Sequence, residues 1–247
     1  MRRLVINLDR SVDRLAHANR QFAAIGVDFE RVVGVDAANG SPVSAPPLTA
    51  TEVCCFLSHR LCWQMIADGS DSHGAIFEDD VVFAPDAGPL LADAGWIPRD
   101  ADLVKLETFL VPVRLGRRRT DAGHGYSLAR LVGQHVGAAG YILSRQAAQR
   151  LLRRTTHLKA AVDNVLFSPT TMTCSSSTIY QVMPAPCAQE HRVFDDNPMP
   201  SLQPGPSKPR KGLFDRIGAE ASRTFGHVRN GTFFGTDKVD AVEFRKA

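Results

Sequence analysis

The chain switches between short apolar runs and stretches in which apolar residues recur every three or four positions. Residues 4–8, Leu-Val-Ile-Asn-Leu, predict a buried first strand with Asn7 and Asp9 at its C-terminal end. Ser11 then reads as an N-cap and Gly26 as the stop of a helix whose apolar face carries Leu15, Phe22 and Ile25. A second strand is predicted over 29–35, and a Gly/Ser/Pro loop over 39–47. Thr49-Ala50-Thr51-Glu52 fits a capping box, opening a helix with Val53, Phe56, Leu57, Leu61 and Met65 that stops near Gly69. Further strands are predicted over 74–83, 102–107, 137–143 and 178–183, with Ser144 capping a short helix through Leu151 and Leu152. Alternating strands and helices of this kind predict an α/β fold.

One of these runs is interrupted by charge. Gly74-Ala75-Ile76-Phe77 leads into Glu78-Asp79-Asp80, and Val81-Val82-Phe83 follows. Adjacent acids at the end of a buried strand repel one another and resist ionising unless a cation is near. Side chains alternate along a strand, so Glu78 and Asp80 point one way and Asp79 the other. Converging carboxylates make an oxygen-ligand site for a hard divalent ion, Mg²⁺ or Mn²⁺. A solvated acidic turn is the competing explanation.

Other candidates fall near predicted strand ends, where open α/β sheets bind ligands. Asp9, Asp13 and Arg14 sit at the first strand-to-helix turn, as ligand contacts or as local capping charge. Ser58-His59 could reach a bound nucleotide as a hydrogen-bonding pair. Cys55, His59 and Cys62 share a helical face, where a packed histidine beside buried thiols outweighs a metal site. Lys105 and Glu107 share a strand face and read as an ordinary cross-strand ion pair rather than substrate contacts. Arg114, Arg117, Arg118 and Arg119 read as a polar loop, either solvated or holding an anionic acceptor. Asp163 is a lone acid in the apolar segment 160–167, which suits a helix cap or a general base with a raised pKa. Gln189-Glu190-His191-Arg192 forms a polar cluster after the last strand.

Composition narrows the class. The chain has 247 residues, 44% of them hydrophobic, which suits one full-sized domain with an appendage. A net charge of +3 is too mild to argue for nucleic acid. The five cysteines show no CxxC spacing, as in a reducing compartment. The first apolar run is too short for a signal peptide, and no segment reaches the roughly 20 apolar residues needed to span a bilayer. A cytoplasmic protein is expected. Composition changes at Asn197, so residues 1–196 are expected to form the domain and 197–247 a Pro-rich linker and basic amphipathic tail. That tail would lie on an anionic membrane surface, at the inner face of the membrane, or pack onto the domain.

Taken together, the chain resembles glycosyltransferase family 25, the lipopolysaccharide-biosynthesis and collagen galactosyltransferase family. The matching pieces are Ile6-Asn7-Leu8-Asp9 with Asp13-Arg14, Gly34-Val35-Asp36, and Glu52 through His59. They continue with Ile76-Phe77-Glu78-Asp79-Asp80, Gly140 through Ser144, and Val162-Asp163. They occur in family order over about residues 1–192, with Cys54 standing where the family commonly has glycine. The resemblance implies a GT-A-like fold: a mostly parallel, mixed sheet flanked by helices. It implies a metal-dependent, inverting hexosyltransferase that moves galactose or glucose from a UDP-sugar donor to a glycan or lipid-linked glycan acceptor.

In that reading Glu78-Asp79-Asp80 takes the place of the DXD motif. Glu78 and Asp80 hold Mn²⁺ or Mg²⁺, with His191 as a further ligand by analogy with the C-terminal histidine of many GT-A enzymes. Asn7, Asp9, Arg14, Ser58, His59 and Asp79 contact the nucleotide sugar, and Asp163 takes the acceptor proton. Two rivals remain: a non-catalytic carbohydrate- or envelope-binding module on the same fold, and a Mg²⁺-binding signalling receiver. The latter fits poorly, because the chain is longer and lacks a matched early acidic pair.

Overall fold

The computed structural model describes residues 1–40, 46–194, 236–239 and 241–245. In chain order, the first half comprises β1 (Arg2–Asn7), α1 (Val12–Ala24), β2 (Glu30–Val33), α2 (Ala50–Asp68), β3 (His73–Glu78), β4 (Val81–Phe83), α3 (Gly88–Ala92) and β5 (Leu103–Lys105). The second comprises β6 (Val113–Gly123), β7 (Tyr126–Leu131), β8 (Gly140–Ser144), α4 (Arg145–Arg154), α5 (Val162–Phe167), α6 (Met172–Ser175), β9 (Ile179–Met183), β10 (Cys187–Gln189), α7 (Glu190–Val193) and β11 (Thr236–Val239). Nine strands form one sheet in the order β11-β6-β7-β9-β5-β8-β3-β1-β2, and β10 pairs with β4 in a small second sheet.

The sheet is mixed. Parallel pairing is confined to β2-β1-β3 and to β5-β9, and every other neighbour pair is antiparallel. The parallel strands β1, β2 and β3 are joined by α1 and α2, the crossovers that parallel neighbours need. Both faces of the central strands are covered. Leu4, Ile76, Tyr141 and Leu143 face a core shared with Phe56 and Trp63 of α2, Leu151 of α4 and Phe167 of α5. Val5, Phe77 and Ile142, one residue out of phase, face the core of Phe22 in α1 and Leu90 in α3. Burial on both faces is why these strands read as continuous apolar runs.

Helix α2 opens on the predicted capping box. Thr49 Oγ1 accepts from the Glu52 N–H, and the Glu52 carboxylate accepts from the Thr49 N–H at 2.8 Å. Thr49→Ala is expected to cost about 1 kcal/mol, read as a lower midpoint in urea unfolding with an unchanged slope.

The arginine-rich stretch is a strand, not a loop. Arg114, Arg117, Arg118 and Arg119 are exposed residues of β6, which turns into β7 at Gly123-His124-Gly125, all three at positive φ. A hairpin strand exposed along much of its length carries charge where a buried strand would carry apolar residues, so its sequence lacks the usual strand signature. The Pro-rich linker and the amphipathic stretch of the tail lie outside the described residues. Beyond them, β11 pairs antiparallel with β6, and Val242 is buried against the main core. Among the described residues no helix is long and apolar enough to cross a membrane.

Candidate active site

Strand β3 sits beside β1 and β8 and ends at Glu78, and the chain turns through Asp79 and Asp80 into β4. The three acids divide at the turn that follows Glu78. Asp79 turns toward β1 and α1, where its carboxylate accepts from Asn7 Nδ2 at 2.8 Å and Arg14 Nη1 at 2.7 Å. Glu78 and Asp80 lie on the other side, bridged by Gln189 of β10. Its Nε2 stands 3.4 Å from Glu78 Oε2 and 3.4 Å from Asp80 Oδ2. Arg14 reaches Asp80 as well, at 3.6 Å.

Burial dominates the electrostatics. It pushes Glu78 up to about 7, helped by Asp79, and Asp80 up to about 7, helped by Glu78, against the opposing pull of Arg14. The pair therefore holds protons well above the ordinary carboxylate range and gains by taking up a cation instead. The amide nitrogen of Gln189, set between two carboxylates at long hydrogen-bond distances, stands near where such a cation would sit. The donor set of hard oxygens fits Mg²⁺ or Mn²⁺.

A pH dependence follows. Unfolded, these carboxylates lose their protons near 4.5 and 3.8; folded, they keep them to about 7. Between those limits the folded state holds more protons, so the metal-free protein should lose stability as pH rises toward 7. Binding a divalent ion displaces those protons, so stabilisation by Mn²⁺ should grow over the same window. Melting temperatures with and without Mn²⁺ between pH 5 and 8 check both; a metal-induced shift independent of pH would contradict the assignment.

His59 supports Glu78 from behind. It is wholly buried, with Nδ1 at 2.9 Å from the Tyr141 hydroxyl and Nε2 at 3.4 Å from Glu78 Oε1. The Trp63 indole N–H donates to the same hydroxyl at 2.8 Å. One assignment satisfies all of these groups: Tyr141 O–H donates to Nδ1, and Nε2–H donates to Glu78. Burial lowers the His59 pKa to about 4, so the ring is neutral near pH 7. The ligand atoms of Cys55, His59 and Glu78 lie within 4.8 Å of one another. Cys62 is buried in the core that Cys55 also packs against, and burial raises its pKa, as expected of a packed histidine beside buried thiols.

The remaining predicted residues divide into buried supports and exposed rim. Asn7 is buried, its amide committed to Asp79 and the Ser11 carbonyl and its oxygen to Arg31. Ser58 is buried too; its hydroxyl donates to the Cys54 carbonyl and accepts from the Val35 N–H. Cys54 itself sits in regular helix. Asp9 is exposed and paired with Arg31 at 2.7 Å. His191 lies on α7, near enough for Arg14 to lower its pKa, though burial does more. Among the described contacts it is Gln189, two residues earlier, that reaches Glu78 and Asp80. Nothing in the local sequence singled Gln189 out, because the antiparallel pairing of β10 with β4 brings it there.

Asp163 stands in the first turn of α5, partly buried. Its Oδ2 accepts from the Gly137 N–H at 3.3 Å, and its Oδ1 caps Asn164. Its charge opposes the burial that lowers the His59 pKa and adds, after burial and Asp79, to the rise at Glu78. Lys105 and Glu107 are not an exposed cross-strand pair. Both are wholly buried, 2.8 Å apart, beneath this site.

Comparison with known proteins agrees with this picture. The family profile described as "Glycosyltransferase family 25 (LPS biosynthesis protein)" matches residues 1–166. Lacto-N-neotetraose biosynthesis glycosyltransferase LgtE of Neisseria meningitidis serogroup B is 31% identical over 209 residues, covering 77% of this chain and 74% of that protein. Lipooligosaccharide biosynthesis protein lic2B of Haemophilus influenzae is 28% identical, covering 77% of this chain and 76% of that one. Among solved structures, galactosyltransferase LgtC in complex with donor and acceptor sugar analogues aligns over 92% of this chain and 96% of its own. The TM-score there is 0.38 at 12% identity. A glycosyltransferase involved in glycosylation of the PBCV-1 major capsid aligns with a TM-score of 0.40 at 8% identity, over 90% of this chain and 98% of that one. The mixed sheet flanked by helices described above is the architecture that the family resemblance implies.

Proposed function

We propose, from the premise that the chain belongs to glycosyltransferase family 25, that it is a metal-dependent inverting hexosyltransferase of lipopolysaccharide or surface-polysaccharide synthesis. It would transfer galactose or glucose from a UDP-sugar to a glycan or lipid-linked glycan. The observation that carries the reading is the pairing of partly buried Glu78 with buried Asp80 at the end of β3, bridged by Gln189, with burial raising both carboxyl pKa values to about 7.

Glu78 and Asp80 would hold Mn²⁺ or Mg²⁺. When bound, the ion supplies charge neutralisation for the donor diphosphate and the departing UDP. The chain's own residues do the rest. Asp79, fixed by Asn7 and Arg14, sets the turn that aims its two neighbours, and Arg14 supplies positive charge beside them. His59, held by Tyr141 and Trp63, fixes the rotamer of Glu78. Asp9, exposed at the C-terminal edge of β1, is available to the nucleotide. Asp163 would take the acceptor hydroxyl proton, as inversion by direct displacement requires. His191 stands near Arg14 as a further contact for the diphosphate or the ion.

The test is a melting-temperature panel of UDP-, GDP- and CMP-sugars with and without Mn²⁺, because a ligand that binds the folded state raises apparent stability by mass action. UDP-galactose or UDP-glucose should stabilise only with the metal. The anomeric configuration of the product, read by NMR, then decides inversion. A shift with CMP-sugars alone, or metal-independent stabilisation, would refute the donor assignment.

A further inference from the structure

A polar network lies beneath the site. Lys105 Nζ donates to Glu107 Oε1 at 2.8 Å and to the Gly137 carbonyl at 2.7 Å. It also stands 4.3 Å from the ring centroid of Phe167, one helical turn after Asp163 on α5. Glu107 Oε1 accepts from the Ala139 N–H at 3.0 Å, and the Ala139 carbonyl accepts from the Glu78 N–H at 2.9 Å. The segment 137–139 is therefore gripped from below by the ion pair. Its upper edge offers one N–H to Asp163 and one carbonyl to Glu78.

The strand end is itself pinned. Gln181 Nε2 donates to the carbonyls of Lys105 and Glu107. Its Oε1 accepts from His135 Nδ1, and His135 Nε2 accepts from the Phe109 N–H. Gly137 has φ +100°, and a Cβ there would lie 2.0 Å from the Phe109 ring and 2.8 Å from Glu107 Oε1. Only glycine fits between the ion pair and the chain above it.

Stability alone is a poor reason for such a pair. Buried ion pairs are often no better than apolar replacements of the same volume. Glu107 Oε2 is buried without a hydrogen-bond partner among the described residues, an uncompensated desolvation cost.

We propose that Lys105 and Glu107 are positioning residues for the Asp163 carboxylate, acting through the Gly137 N–H and the Phe167 ring. The proposal rests on Asp163 being the base of the proposed reaction.

The test is a double-mutant cycle on the full chain. Lys105→Met with Glu107→Gln removes both charges, keeps the volumes, and leaves an amide oxygen to accept from Ala139. In the wild-type background this pair should lower kcat by about tenfold to a hundredfold, with KM for the UDP-sugar within about twofold. In an Asp163→Asn background the same change should cost almost nothing further. Amide exchange of Gly137 should quicken in the neutral-pair variant while the β3–β8 amides stay protected. Should the paired variant fail to unfold cooperatively, Glu107→Gln alone enters the same cycle. Equal losses in both backgrounds, or an unchanged kcat, would overturn the proposal while leaving the base assignment standing. Full turnover by Asp163→Asn alone would remove the base assignment, and this inference with it.

Discussion

Asp80→Asn is expected to lower UDP-sugar turnover by about a thousandfold or more, equivalent to about 4 kcal/mol of lost transition-state stabilisation. The substitution keeps the shape of the side chain and its place beside Gln189 but removes one of the two charges facing the cation. Glu78→Gln should behave likewise, and the pair should be far from additive because both act through one ion. Neither should destabilise the metal-free protein. Each removes a carboxylate, partly buried at Glu78 and buried at Asp80, that desolvation and neighbouring acids already push toward neutrality. The variants' metal-free melting temperatures should therefore be equal to or above wild type near pH 7.5, with the Mn²⁺-dependent rise abolished. Turnover by Asp80→Asn that still saturates with Mn²⁺ at the wild-type concentration would show that the ion sits elsewhere.

Asp163→Asn should be the second large effect: a loss of roughly a hundredfold to ten-thousandfold in kcat, the range of a general base. Binding of UDP with Mn²⁺ should survive, because the hydrogen bonds of the Asp163 carboxylate go to Gly137 and Asn164 rather than to the acidic ledge. Calorimetric titration of the variant with UDP and Mn²⁺ separates the two properties. A variant that loses donor binding in proportion to turnover would place Asp163 in the donor site and leave the base to be found.

Much of the site was legible because its signals are local. Three acids interrupting an apolar run stand out in the sequence, and the structure turns Asp79 toward Asn7 and Arg14 while Gln189 bridges Glu78 and Asp80. Thr49 and Glu52 announced their helix through a reciprocal bond spanning three residues. Asn7 and Ser58 were visible as polar groups near strand and helix ends, but whether such a group faces a ligand or the interior depends on what packs over it. Both turned inward.

The order of amino acids alone determined the β–α alternation of the first eighty residues, the acidic ledge at the end of β3, and Asp163 as an isolated acid in an apolar segment. Periodicity, capping and charge repulsion act between neighbours a few positions apart, so a linear reading captures them. Tertiary structure decided that the arginine run is a strand, that Gln189 rather than a nearer residue bridges the carboxylates, and that Lys105 and Glu107 lie wholly buried. Each depends on contacts between segments distant in sequence, such as β10 on β4 and β5 between β8 and β9. The free energy of those contacts resides in the pairing and packing of whole elements, which no short window of residues encodes.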